Sequence, residues 1–324
     1  MRRAERLAEA WGETAAVDDS IDIRRDDTPR YYVDGLGTAA RESLLTGRRF
    51  ALDIGDDFAD LRVAVGGRLA RWPVDAALER VLRRSARVVV HRGVLHAYGL
   101  APKIRESARC VYLPDFRTLE PDLSGVGGGW TGSFELGFVG SSTLRARGAL
   151  PAGWQLVEWS RQTGLRSRLL VAGSGVAWLR QRSRELGVER QVLISDRFEN
   201  AREFFAGVGG FYLPQSINRV AHARTTGKLA DYVAADVPVF ANPVGSALAV
   251  LPISMQLDNA ALNVHEQVDA LAGATASWIA MTPDARRIEM ERLHRAAIVI
   301  DPEPRLERWR SAVARRLGIE RVPG

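Results

Sequence analysis

Lys228 is one of two lysines in the chain, the other being Lys103, and the remaining 43 of the 45 basic side chains are arginines. It stands in Thr225-Thr226-Gly227-Lys228-Leu229-Ala230-Asp231-Tyr232. The pattern from Leu229 to Ala235 predicts a helix, which runs into an apolar strand over Val237 to Ala241. Lysine is a compact, strongly hydrated point charge, whereas arginine is a planar fork, so the two are poorly interchangeable around a phosphate. A cation in a helix's first turn opposes the macrodipole by about 0.3 to 1 kcal/mol, which a bound anion offsets. The chemistry implied is anion binding; the plain alternative is a solvated surface lysine.

In open α/β sheets ligands bind beyond the carboxyl ends of the strands, so residues just after each predicted strand matter most. Gly140-Ser141-Ser142-Thr143-Leu144-Arg145-Ala146-Arg147-Gly148 follows one such strand. Its hydroxyls, backbone amides and two guanidiniums suit phosphate oxygens as well as they suit an ordinary solvated loop. Ala172-Gly173-Ser174-Gly175 follows the next, with small residues that admit a ligand to the backbone or simply permit a tight turn. A long polar loop runs from Leu213 through Asn218, Arg219, His222, Arg224, Thr225 and Thr226 to Lys228, and loops of that length in compact domains are often functional. Asn242-Pro243-Val244-Gly245-Ser246 turns the chain after a further strand. Nearer the start, Asp53-Ile54-Gly55-Asp56-Asp57 closes a strand. Asp56 or Asp57 is placed to take a proton as a general base or to cap a helix beginning near Phe58. His91 and His96 are strand-end candidates by the same logic, and His265 is a weaker one.

The elements that must position these residues are legible as alternating short apolar runs and helical segments, the grammar of parallel α/β units. Strands are expected at Phe134 to Gly140, Leu169 to Ala172, Gln191 to Ser195, Gly210 to Leu213, Val237 to Ala241 and Ala261 to Val264. Helices are expected at Trp154 to Thr163, Val176 to Leu186, Asn200 to Ala206, Lys228 to Ala235 and Ser246 to Val250. Together they make a doubly wound domain. The first third repeats the pattern more thinly, with strands at Phe50 to Ile54, Val88 to His91 and Cys110 to Leu113 and another near Ala15 to Val17. Residues Arg3 to Trp11 look like the helix that follows a first strand, yet no strand precedes them, so this domain is expected to lack its first strand. The Gly-rich run Ser124 to Gly132 has the composition of a connector. The expected division is therefore 1–123, a linker at 124–132, a second domain over 133–300, and a last amphipathic helix in 301–324 packing back on the first domain. That helix carries Leu306, Trp309, Val313 and Leu317 at spacings of three and four.

Composition narrows the function classes. A hydrophobic content of 46% with 26% charge is that of a globular protein. No apolar run approaches the roughly 20 residues of a membrane span, and Met1-Arg2-Arg3 leads into an amphipathic stretch, so a cytoplasmic location is expected. The single cysteine, Cys110, excludes an internal disulfide and a cysteine-based metal cage. The net charge of +6 is uneven: residues 141–228 hold 14 basic and six acidic side chains, which suits an anionic small molecule. Aromatic and basic residues are not interleaved as in single-strand binders, so no nucleic acid is expected.

The second half resembles the donor-binding domain of GT-B fold glycosyltransferases, in particular the large retaining family that uses nucleotide sugars. The likeness covers Phe134 to Gly245. It rests on Gly137-Phe138-Val139-Gly140, Leu170-Val171-Ala172-Gly173-Ser174-Gly175 and Phe211-Tyr212-Leu213-Pro214. Its strongest piece is Thr226-Gly227-Lys228-Leu229-Ala230-Asp231-Tyr232-Val233-Ala234-Ala235-Asp236-Val237-Pro238-Val239-Phe240, which looks like the family's TKLxEYxAxGxPVI segment. The resemblance implies two Rossmann-like domains and sugar transfer from a nucleotide diphosphate sugar, with no other cofactor and no metal. It implies that Asp231 stands where the family has a ribose-binding glutamate, that Lys228 approaches the diphosphate, and that Arg147 takes the place of a donor-phosphate lysine. Ser141 stands where an arginine is common.

One departure matters for turnover. The family's paired glutamates are eight apart, and eight residues before Asp231 lies Ala223, leaving His222 or Arg224 as substitutes. The expected donor site is Gly140, Ser141, Ser142, Arg145, Arg147, Gly173, Ser174, Asn218, Arg219, His222, Arg224, Thr225, Thr226, Lys228, Leu229 and Asp231, with Asp56, Asp57 and His91 as catalytic candidates on the acceptor side. The acceptor is a glycan, a lipid or a small molecule, and the likeness adds a peripheral contact with the inner face of a membrane as an option. Two rivals stand beside this reading: a catalytically degenerate sugar-nucleotide binder or sensor, favoured by Ala223, and a sugar-nucleotide epimerase of the same architecture.

Overall fold

The structure is a computed structural model of the 324-residue chain, and it describes residues 7, 30–33, 49–54, 72–93, 110–114, 134–142, 150–197, 201–215, 226–257 and 264–319. Two compact units divide the chain: one takes Met1–Phe116, His222–Thr225 and Ile300–Gly324, the other Arg117–Ala221 and Thr226–Val299. Both are built on parallel sheets.

The first sheet holds β1 (Arg30–Val33), β2 (Phe50–Ile54), β3 (Val88–His91) and β4 (Cys110–Tyr112), in that order and all parallel. Its strands are apolar runs because both faces are covered. Phe50, Leu52 and Val89 point to one face and pack with Leu82 and Ala86, at and just beyond the end of α1 (Trp72–Ser85). Ala51, Val88 and Val90 point to the other and meet Leu7 together with Trp309, Val313 and Leu317. Those three belong to the last helix of the chain, whose apolar stripe therefore seats on the first sheet.

The second sheet holds β5 (Glu135–Ser141), β6 (Arg166–Ala172), β7 (Val192–Ser195), β8 (Gly210–Leu213) and β9 (Val239–Ala241), all parallel, in the spatial order β7-β6-β5-β8-β9. Helices α2 (Trp154–Thr163), α3 (Val176–Glu185), α4 (Ala201–Ala206), α5 (Gly227–Ala234) and α6 (Gly245–Val250) alternate with the strands. After them come α7 (Val264–Ala280), α8 (Pro283–Ala297) and α9 (Glu303–Leu317). Glycines set both ends of α2: Gly153 and Gly164 have φ of 90° and 72°, left-handed values that cost other residues energy. The Thr282 side chain accepts a hydrogen bond from Ala285 N at 3.2 Å and Pro283 opens α8, so that helix starts with a full cap.

One expected strand is corrected. Val264, placed in a strand over Ala261 to Val264, instead opens α7, whose buried Val268, Leu271, Thr275 and Trp278 recur at helical spacing. A run as short as Ala261-Leu262-Asn263-Val264 cannot tell a strand from the start of a helix, and its first three residues lie outside the described ones. The strand expected near Ala15 to Val17 lies outside the described residues.

Candidate functional site

From β5 the chain steps outward to β6 and β7, then crosses back to β8 on the other side of β5. The strand order reverses between β5 and β8, and such a switch point is where open α/β sheets bind ligands. Here the two strands also part. β5 stays in register with β6 as far as Ser141 opposite Ala172, but with β8 only through Leu136 opposite Gly210 and Gly137 opposite Phe211.

Gly209 N donates to Glu135 O, so the odd-numbered residues of β5 aim their backbone groups at the β8 side. Val139 is the next of these past the parting of the strands. Its N–H donates to the Tyr232 phenol oxygen at 3.0 Å, and its carbonyl accepts from the same hydroxyl at 3.3 Å. The Tyr232 ring stacks on Phe211 at 4.1 Å between centroids and 4° between planes. A side chain of α5 thus takes the place of a strand neighbour. Burial pushes the Tyr232 phenol well above its ordinary value of 10.0; the Val139 backbone offsets part of that rise and the neighbouring Asp231 charge adds to it.

Lys228 lies one helical turn before Tyr232, on the same face of α5. Its Nζ is 5.4 Å from the centroid of the Phe138 ring. A β-carbon placed on Gly140 would fall 2.5 Å from that Nζ and 3.1 Å from Cε. The ammonium therefore rests over the carboxyl end of β5, in room that the missing side chain of Gly140 leaves.

The structure brings several other expected residues to the same edge. Ser141 ends β5 with an exposed side chain, and Gly173 and Ser174 are exposed just past β6. Ser142 is fully buried and committed to the scaffold: its N–H donates to Ala172 O at 2.8 Å, its hydroxyl to Ala152 O at 2.9 Å, and its carbonyl accepts from Gly175 N at 2.8 Å. A β-carbon on Gly175 would come within 2.8 Å of both Ser142 oxygens, so that glycine is required by close packing. Thr226 is the residue before α5, with extended backbone. Leu229 is fully buried and anchors the helix, and Asp231 is only 1% exposed. Asp56, Asp57, His96, Arg145, Arg147, Asn218, Arg219, His222, Arg224 and Thr225 lie outside the described residues.

In the first unit His91 is buried at the end of β3, and its carbonyl accepts from Leu113 N at 3.0 Å. Beside it is a polar chain that the sequence had not singled out. Asp53, fully buried at the end of β2, accepts from Arg92 Nε at 2.6 Å and from the Tyr31 hydroxyl at 2.9 Å. The Trp309 indole donates to that hydroxyl at 3.1 Å. An aspartate inside a strand followed 39 residues later by an arginine just past another strand end is too loose a pattern to be read before the strands are paired. Tyr232 was visible as part of the α5 segment, but its bond to Val139 needs the parting of two strands, which sequence does not display.

No protein-family model and no curated protein matches the sequence. Solved structures do match in fold. Anabaena HepE in complex with UDP is 14% identical, with a TM-score of 0.62 over 89% of this chain and 78% of that one. Sucrose-phosphate synthase from Thermosynechococcus elongatus is 14% identical, with a TM-score of 0.62 over 90% of this chain and 73% of that one. The α,α-trehalose 6-phosphate synthase of Burkholderia multivorans is 13% identical, with a TM-score of 0.58 over 91% of this chain and 72% of that one. The fold is that of GT-B glycosyltransferases.

Proposed function

We propose that the chain is a glycosyltransferase that takes its donor, a nucleotide diphosphate sugar, at the β5–β8 switch point. The observation that carries this is the Lys228 ammonium poised over Gly140 at the carboxyl end of β5. It places a compact positive charge beside the exposed ends of β5 and β6, where open α/β sheets hold phosphates. The UDP-bound fold relative supports a nucleoside diphosphate as the ligand class.

Lys228 meets the charge that grows on the departing diphosphate, and Arg145 and Arg147, which follow β5 in sequence, are assigned the same task. No metal is assigned to the reaction. The bond between the anomeric carbon and the diphosphate oxygen breaks, a bond from an acceptor oxygen to that carbon forms, and the acceptor proton passes to the departing phosphate, as suits a retaining transfer. Asp231 is assigned to the ribose hydroxyls. The first unit is assigned the acceptor, with Asp56, Asp57 and His91 as the candidate groups that would take the acceptor proton in place of the phosphate if the transfer were inverting. Among the described residues no helix is long and apolar enough to cross a membrane.

The test is calorimetric titration with UDP and guanosine and thymidine diphosphates, followed by donor-hydrolysis assays with the matching sugars. Binding with turnover supports the transferase. Binding without turnover across a panel of acceptors supports the degenerate sensor, which Ala223 favours, and no binding of any of the three removes the donor site.

A further inference from the structure

We infer that Tyr232 is the positioning residue of this site: its hydroxyl, held by both backbone groups of Val139, fixes α5 to β5 so that the Lys228 ammonium comes to rest over Gly140. The functional meaning of that position rests on the donor-site reading above; the positioning itself does not.

Beyond Gly137 and Phe211 the register between β5 and β8 stops, yet Val139 still presents its N–H and carbonyl on that side. Buried backbone groups need partners, and a strand that leaves its neighbour exposes them. Tyr232 satisfies both with one oxygen. A phenol both donates and accepts, which no other aromatic side chain does from a single atom.

Helix α5 is thereby tied to the central strand and not only to β8 and β9, the strands it connects. The tie is stiff. The Phe211 stack sets the plane of the ring, and the two hydrogen bonds set its reach. Lys228 sits four residues earlier on the same face, so a shift of α5 along the sheet carries the ammonium with it. Burial raises the phenol above its ordinary range, which favours the protonated hydroxyl that donates to the Val139 carbonyl.

The chain supplies its own reporter. With Lys103 as the only other lysine, acylation by an amine-reactive ester followed by peptide mass mapping reads Lys228 against an internal reference. Tyr232→Phe keeps the ring and deletes the tie. Tyr212→Phe is the control, because Tyr212 is equally buried and its hydroxyl has no hydrogen-bond partner among the described residues. Urea midpoints are recorded for both variants to show that each is folded under the labelling conditions.

The expected result is a change of about threefold or more in the Lys228 to Lys103 labelling ratio in Tyr232→Phe, the scale a single hydrogen bond sets, with Tyr212→Phe like the wild type. An unchanged ratio in Tyr232→Phe, or the same change in both variants, overturns the inference. A second arm measures inorganic pyrophosphate affinity with Lys228 present and with Lys228→Ala. Tyr232→Phe is expected to lower affinity about 3- to 10-fold in the first background and to leave it unchanged in the second; equal losses in both contradict an action through Lys228. Absence of pyrophosphate and UDP binding in the wild type removes the donor site, while the labelling ratio still decides the role of Tyr232.

Discussion

The Nζ of Lys228 lies 2.5 Å from the point a β-carbon on Gly140 would occupy, so the two residues compete for one volume. Gly140 is not among the glycines with left-handed φ, so its backbone accepts alanine. The atom in the way is the end of a flexible side chain, and the Phe138 ring at 3.0 Å needs to give only slightly. Gly140→Ala is therefore expected to cost the fold less than about 1 kcal/mol, while displacing the ammonium and weakening UDP by about tenfold. Thermal melts and calorimetry on the same sample check both halves.

Glu158 predicts a pH response. It sits on α2, and its side chain receives hydrogen bonds from Arg182 at 2.8 and 3.1 Å and from Arg161 at 3.0 Å. Burial by itself would raise its pKa, but the two guanidiniums outweigh burial and hold it below the ordinary 4.5. A depressed carboxylate stabilises the fold above its unfolded pKa and loses that contribution as pH falls through the folded value. Glu158→Gln is expected to cost about 1 kcal/mol at pH 7, discounted because both arginines are partly exposed. The gap from the wild type closes below the ordinary carboxylate range. Urea midpoints between pH 3 and 7 show it.

The polar chain of the first unit makes a stronger claim. Asp53 and Arg92 are a buried ion pair, with side chains 0% and 8% exposed. Asp53→Asn removes the carboxylate charge from beside a buried guanidinium and is expected to cost about 3 kcal/mol. Tyr31→Phe removes one bond to Asp53 and the acceptor of the Trp309 indole, and is expected to cost about 1 to 2 kcal/mol. Denaturant unfolding of both variants tests the order.

How much of this was legible beforehand differs by element. The strands Phe50–Ile54, Val88–His91 and Gly210–Leu213 and the helix Trp154–Thr163 are where their apolar patterns put them. Buried parallel strands and two-faced helices leave strong signals. By contrast β1 and helices α1, α7 and α8 were not read. In α7 the buried positions include Thr275, which accepts from the Trp159 indole at 3.1 Å, so part of its inward face is polar and weakens the periodicity. Of the site, Lys228 and the strand-end glycines could be read because composition and position mark them. The tie from Tyr232 and the buried pair of Asp53 with Arg92 arise from which strands become neighbours, and no local pattern encodes that.

Asp236 carries backbone strain where the likened segment has glycine. Its φ of 59° is the one positive value among described non-glycine residues, and its carboxylate meets His294 Nε2 on α8 at 3.3 Å with both side chains roughly half exposed. A half-exposed pair contributes about 0 to 1 kcal/mol, similar to the cost of the left-handed backbone. Asp236→Gly is expected to change stability by less than about 1 kcal/mol, whereas Asp236→Val loses the pair and adds the larger penalty that a β-branched residue pays at positive φ, costing about 2 kcal/mol in all. Thermal melts of the two variants side by side separate the terms.

The central claim is that Lys228 grips a nucleoside diphosphate at the β5–β8 switch point, and UDP titration of the wild type and Lys228→Ala by calorimetry tests it most directly. Loss of one charge-assisted contact is expected to weaken binding roughly 10- to 150-fold. Equal affinity in the two proteins would contradict the account.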